Sequence, residues 1–218
     1  MAKTYLDRED AGKKLAAALC KYQDQKDVVV FGLPRGGVPV AFEVARQLKA
    51  PLDILVVRKI GVPGQPELAM GAVASGGVII RNEQVITALR IGPARFDAAV
   101  LTARDELTER EAALRGAELS VDLKDRSVIV VDDGMATGST MQAAVEALRT
   151  LGPTAIVVAV PVAAPEVVAR LGKVADEVVS MLTPRSLVAV GAWYRQFGQT
   201  AESEVRRLLE EANAEGAP

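Results

Sequence analysis

The sequence predicts an α/β fold, a parallel sheet with helices on both faces. Three observations carry this. Short apolar, β-branched runs recur (Val28-Val29-Val30-Phe31, Val128-Ile129-Val130-Val131, Ala155 to Val160), and runs without polar alternation belong to strands buried on both faces. In the second half of the chain such strands alternate with stretches of helical periodicity, which implies parallel strands joined by crossover helices. Hydrophobic residues make up 50% of the 218 positions and charged residues 25%, enough apolar material for a substantial core. A single domain over 1–218 is expected, with its core at about 24–182 and flanking elements at 8–22 and 183–213.

Each element follows from local pattern. Ala11, Leu15, Ala18, Leu19 and Tyr22 repeat at helical spacing and predict an amphipathic helix over 8–22. The strand at 28–31 ends at Gly32, and Leu33-Pro34-Arg35-Gly36-Gly37 reads as a turn. A helix over 38–49 and a second buried strand over 53–58 follow. Two Gly and two Pro within 59–66 predict a loop. Leu68 to Ser75 and Val78 to Arg81 read as short strands around Gly76-Gly77, a hairpin. Pro93 opens and Gly116 closes a long, charge-laced helix, expected to serve as a lid or a dimer contact. The regular alternation then runs strand 128–131, helix 139–151, strand 155–160, helix 165–171 and strand 174–181. A terminal helix over 200–213 precedes a frayed tail at 214–218.

Composition excludes several chemistries. The chain has no histidine, which removes Ser-His-Asp triads, Cys-His dyads and His-ligated zinc. Cys20 is the only cysteine, so there is neither an internal disulfide nor a thiolate cage. Lys and Arg number 26 against 28 acids, a balance that argues against nucleic acid or an anionic membrane as partner. The charged N-terminus lacks a signal-peptide core, and the longest near-apolar run, 155–165, is too short to span a bilayer. A soluble, cytoplasmic protein is expected.

The segment from Val128 to Met141 carries the chemistry. It joins an apolar strand to a helix through Asp132-Asp133-Gly134-Met135-Ala136-Thr137-Gly138-Ser139-Thr140. Ligands of open α/β sheets sit at the carboxyl ends of strands. A helix N-terminus offers free N–H groups and a positive dipole end to a phosphate. Gly138 lets the chain approach closely, and Thr137, Ser139 and Thr140 add hydroxyls. Two carboxylates would repel a phosphate but accept hydrogen bonds from a vicinal diol. A sugar bearing a phosphate and free hydroxyls satisfies both halves, and ribose 5-phosphate is the simplest. An acid pair before a Gly-rich turn also serves simply to cap a helix. The P-loop is excluded because the segment has no lysine, and receiver-type phospho-acceptor sites draw their acid pair from an early strand.

This segment resembles the phosphoribosyl pyrophosphate (PRPP) motif of the type I phosphoribosyltransferases. The resemblance extends over 28–182 and implies a Rossmann-like parallel core with flanking helices, a small hairpin with a flexible loop, and a hood. Further stretches resemble a bacterial branch of phosphoribosyltransferase-like proteins: Gly32 to Gly37, Val57 to Gly61, Glu67 to Ala72, and Trp193-Tyr194. The resemblance implies that Asp132 and Asp133 hold the ribose hydroxyls, and that Gly134 and residues 136–140 (Ala136, Thr137, Gly138, Ser139, Thr140) cradle the 5-phosphate. It makes the 33–37 turn a pyrophosphate loop, with Arg35 as the contact and Gly36 and Gly37 supplying amides. Arg58 and Lys59 become counter-charges for the leaving group beside a mobile loop, though a solvated basic pair would look the same.

The implied reaction is displacement of pyrophosphate from the anomeric carbon by a nucleobase-like acceptor. Mg²⁺ is the implied cofactor, held mainly through PRPP, with Asp132 and Asp133 reaching it through water. Val188, Trp193 and Tyr194 are the candidate base-binding residues, and Glu67 a candidate acid/base. Ala136 stands where 6-oxopurine enzymes carry an aspartate, and 156–162 offers no base-reading lysine. PRPP and a small acceptor are the expected partners, in a homodimer. A PRPP-binding regulator without turnover and a hydrolase of phosphoribosyl compounds are the alternatives.

Overall fold

The computed structural model describes residues 5–115 and 122–215. The expected helix end at Gly116 and the end of the tail, 216–218, lie outside the described residues. Helix α1 (Arg8–Ala18) begins at Asp7, whose side chain accepts a hydrogen bond from the Asp10 N–H at 2.9 Å, a standard N-cap. A short 3₁₀ turn, Cys20–Tyr22, completes the stretch expected as one helix. Strand β1 (Val28–Gly32) leads through helix α2 (Gly37–Leu48) to β2 (Leu52–Ile54). Later come β6 (Ser127–Val131), α5 (Ser139–Thr150), β7 (Ala155–Val162), α6 (Pro165–Leu171) and β8 (Glu177–Leu182). The five strands pair in parallel in the order β2-β1-β6-β7-β8, as the alternation predicted.

The central strands β1, β6 and β7 are buried on both faces because their residues are almost all apolar, whereas the edge strand β8, which carries Glu177 and Ser180, is only half-buried. Val28 and Val30 of β1 and Ile129 and Val131 of β6 join a core with α1, α2, α4 (Pro93–Arg115) and α7 (Glu202–Glu215). Val29, Phe31, Val128 and Val130 face the other way, onto α5 and α6. Successive residues therefore feed opposite layers, the period-two consequence of the pleat.

Two expectations are corrected around residue 55. The strand expected over 53–58 is two strands in two sheets. Leu55 still donates to the Gly32 carbonyl (3.2 Å), but the Val56 N–H donates to the Ser75 hydroxyl (2.9 Å), and the chain leaves the parallel sheet there. Strand β3 (Val57–Val62) then pairs antiparallel with β4 (Gln65–Ala74), which pairs with β5 (Val78–Arg81). The loop expected over 59–66 is therefore mostly strand. Its breakers have narrower jobs: Gly61 sits at a register irregularity, and Pro63-Gly64 forms the two-residue turn between paired Val62 and Gln65. Helix α3 (Glu83–Ala88), capped by Asn82 accepting from the Val85 N–H (3.2 Å), was not foreseen.

Helix α4 buries Phe96, Val100, Ala103, Leu107, Glu111 and Leu114, a stripe at three- and four-residue spacing. It packs on the small sheet and on α7, tied by Arg110 to Glu202 (2.5 Å) and by Arg206 to the Ala113 carbonyl (2.8 Å). Residues 5–6 clip onto the late segment: Tyr5 donates to the Trp193 carbonyl (2.8 Å), Arg195 to that of Tyr5 (2.9 Å), and Gln196 to that of Leu6 (2.8 Å). Among the described residues no helix is long and apolar enough to cross a membrane.

Candidate active site

β1 and β6 are neighbours in register, Gly32 opposite Val131, so the turn after β1 and the acid pair after β6 leave the sheet side by side. The Leu33 N–H donates to the Val131 carbonyl at 2.9 Å. The approach is close enough to require glycine. A Cβ on Gly37 would lie 2.7 Å from the Val131 oxygen and 2.9 Å from Asp132 Cα, and one on Gly36 would overlap the Asp133 carboxylate. The Pro34–Arg35 peptide bond is cis. Arg35 itself is half-buried.

The two acids differ in their partners. Asp132 Oδ1 accepts from the Asp133 N–H at 2.8 Å. Asp133 Oδ2 accepts from Arg8 Nε at 2.9 Å and lies 2.9 Å from a second guanidinium nitrogen of Arg8. Burial raises Asp132 well above the usual carboxylate range, and the charge of Asp133 pushes the same way. Burial also raises Asp133, while Arg8 pulls it back down.

The loop from 134 to 138 is anchored at its start, where Met135 donates to the Val162 carbonyl (2.9 Å) and accepts from Ala164 N–H (3.1 Å). Arg170 donates to the Thr137 carbonyl. Gly138 adopts φ 66°, and the side of its Cα where a Cβ would project is filled by Val167. Helix α5 starts immediately after, and glycine at its cap position provides no side-chain acceptor for the first-turn amides. Ala136, Thr137 and Thr140 are exposed. Lys59, reaching over from β3, donates from Nζ to Ser139 Oγ at 2.7 Å, and Thr137 Oγ1 lies 3.4 Å from the same hydroxyl. Free amides, a positive helix end and an ammonium group together suit a multivalent oxyanion.

Arg58 points elsewhere. Its Nε donates to Glu106 of α4 at 2.5 Å, and both side chains are substantially exposed. The pair borders a cleft of about 810 Å³ between β3 and α4, which Lys59 and Thr140 also line.

The candidate base-binding residues separate. Val188 is 91% exposed. Trp193 is half-buried against the Tyr5–Tyr194 cluster. Tyr194 is buried behind the acid pair: its hydroxyl donates to the Asp133 carbonyl (2.5 Å), and its ring packs between Tyr5 and Phe197, with centroids 5.4 and 4.9 Å away. The segment thus brings Tyr194 to the site as a support for Asp133. Gly134 lies against Val190 and Val162. The Glu67 side chain lies outside the described residues.

Sequence reasoning missed Arg8, Phe197 and Glu106. Arg8 sits 125 positions from Asp133 and reads as an ordinary first-turn helix residue, and no periodicity signals such a pairing. Among the described residues no group of three or more His, Cys, Asp or Glu side chains is placed to hold a metal.

The parallel core of five strands, with a separate antiparallel sheet, is the type I phosphoribosyltransferase fold. The protein TT1426 from Thermus thermophilus superposes with a TM-score of 0.82 at 43% identity, over 95% of this chain and 98% of that one. A purine phosphoribosyltransferase from Pyrococcus horikoshii shares the fold, with a TM-score of 0.50 at 22% identity over 92% and 99% of the two chains. Residues 1–191 match the family described as phosphoribosyl transferase domain, and the chain belongs to that family. A Mycobacterium tuberculosis protein, whose name places it provisionally among the phosphoribosyl transferases, is 46% identical over 215 residues, 99% of this chain and 48% of that protein. The chain spans about half the length of the curated relatives it matches.

Proposed function

We propose that this chain is a PRPP-dependent phosphoribosyltransferase that transfers ribose 5-phosphate to a nucleobase-like acceptor and releases pyrophosphate. One observation carries the reading: three segments far apart in sequence meet at the carboxyl end of the parallel sheet. Gly36 and Gly37 lie against Asp132 and Asp133, and Lys59 bonds Ser139. In this reading Asp132 and Asp133 accept hydrogen bonds from the ribose hydroxyls. The amides and hydroxyls of 136–140 hold the 5-phosphate. Arg35 and Lys59 face the pyrophosphate, where negative charge builds as the bond to the anomeric carbon breaks. Arg58 joins them when it leaves Glu106.

The donor set suits Mg²⁺. Asp132 and Asp133 are hard oxygen donors with no imidazole in the chain to compete, and such a pair fits a cation held chiefly by PRPP oxygens. Mg²⁺, when bound, would neutralise charge on the pyrophosphate.

A pyrophosphate-release assay with PRPP, Mg²⁺ and a panel of bases tests this. Release with one base supports transfer and names the acceptor. Release without any base replaces transfer by hydrolysis. No release alongside PRPP binding replaces it by a regulatory role.

A further inference from the structure

We propose that Arg8 is a positioning residue for sugar recognition: it fixes the Asp133 carboxylate through one oxygen, Oδ2, and leaves Oδ1 turned to the sugar hydroxyl. The inference rests on the phosphoribosyl-binding reading above.

Both Arg8 contacts converge on Oδ2, from Nε at 2.9 Å and from a terminal nitrogen at 2.9 Å. The two side chains are only 14% exposed each. No hydrogen bond to Asp133 Oδ1 occurs among the described residues on either the Arg8 or the Asp132 side. A fork that closes on one oxygen orients a carboxylate without filling the lone pairs of the other.

The guanidinium is itself held. Its other terminal nitrogen donates to the Gly198 carbonyl at 2.7 Å, and its carbon lies 4.0 Å above the Phe197 ring. Phe197 packs on Tyr194, and the Tyr194 hydroxyl donates to the Asp133 carbonyl. Asp133 is thus gripped at its carboxylate and at its backbone by one assembly built from residues 5–8 and 190–198. The cleft that Arg8 borders is lined by Asp7, Glu43, Arg46 and Gly198 and by neither acid nor any residue of the 136–140 loop, so Arg8 acts on the sugar through Asp133.

Physical chemistry explains the choice of arginine. Two adjacent buried carboxylates repel, and an unpaired one would rotate toward water. Lysine would supply the charge but neither the planar fork nor the stack on Phe197.

Calorimetric titration of the full chain with ribose 5-phosphate, and separately with inorganic phosphate, tests the proposal on wild type, Arg8→Ala, Arg8→Lys, Asp133→Asn and the Arg8→Ala/Asp133→Asn double variant. Arg8→Ala should weaken ribose 5-phosphate binding by about tenfold, the worth of one charge-assisted hydrogen bond. Phosphate affinity should stay within about twofold, because the 136–140 loop is untouched. Arg8→Lys should recover only part of the loss, and it supplies the comparison if Arg8→Ala does not fold. The double variant should bind no more weakly than Asp133→Asn alone, since Arg8 acts through Asp133. Unchanged ribose 5-phosphate affinity in both Arg8 variants, equal loss for both ligands, or additive effects in the double variant would each overturn the positioning role. Wild type binding neither ligand would instead overturn the phosphoribosyl reading itself, and this inference with it.

Discussion

Burial, and after it the charge of Asp133, raise the pKa of Asp132 well above the ordinary carboxylate range. A carboxyl group whose folded pKa is raised binds more protons in the folded state than in the unfolded one. Its ionisation therefore removes stability as pH climbs from the unfolded value, about 3.9, through the higher folded value. Asp132→Asn removes that penalty and should raise the Tm of the ligand-free protein at pH 7.5. The gain over wild type should shrink as pH falls toward 4, and a pH series of thermal melts checks both signs. A gain that grew on acidification would contradict the burial of this acid. Arg35 belongs to the same scale. Arg35→Ala should slow turnover more than it weakens ribose 5-phosphate binding, because ribose 5-phosphate carries no leaving group. Steady-state kinetics beside calorimetry separates the two, and equal effects would remove Arg35 from the pyrophosphate.

At the scale of elements, the β6–α5 crossover depends on Gly138. Alanine there must adopt φ 66° and compete with Val167 for space. The left-handed conformation alone costs about 1–2 kcal/mol, so Gly138→Ala should lower denaturant-measured stability by at least that and weaken phosphate binding. Unchanged values for both would mean that the loop is not built as described. On α4, Glu106 competes for Arg58. Exposed pairs are worth about 0.2–1 kcal/mol, so Glu106→Ala should tighten pyrophosphate binding by no more than about fivefold. Weaker binding would show that Glu106 presents Arg58 rather than restrains it. The elements that sequence located best are those of the parallel core, because strands such as 128–131 are apolar on both faces and leave no ambiguity of period. Residues 53–62 were misjudged for a physical reason. Leu55 and Val56 continue the apolar run while their hydrogen-bond partners change from one sheet to another, and Gly61 and Pro63-Gly64 look like a loop when they serve a bulge and a turn.

Across the whole molecule, the candidate site draws on residues from 8 to 198. The acid pair, the 33–37 turn and the 136–140 loop were legible because each places its chemistry at the end of an apolar strand. Arg8, Phe197 and Glu106 were not, because what matters about them is the tertiary neighbour, and no local spacing encodes it. A site assembled from so much of the chain should couple ligand binding to global stability. At 100 times its Kd a ligand adds about 2.7 kcal/mol, which for a chain of this size corresponds to a rise of roughly 5–11 °C in Tm. PRPP with Mg²⁺ should produce such a rise, and adenosine, which has the diol but no phosphate, should produce far less. The central claim is that the β6–α5 crossover grips a phosphoribosyl group through two acids and a helix N-terminus. Calorimetric titration of PRPP with Mg²⁺ into wild type, Asp132→Asn and Asp133→Asn tests it most directly. Saturable one-to-one binding, weakened by about 1.5–3 kcal/mol in each variant, is the predicted result. Affinity unchanged by either substitution would contradict it.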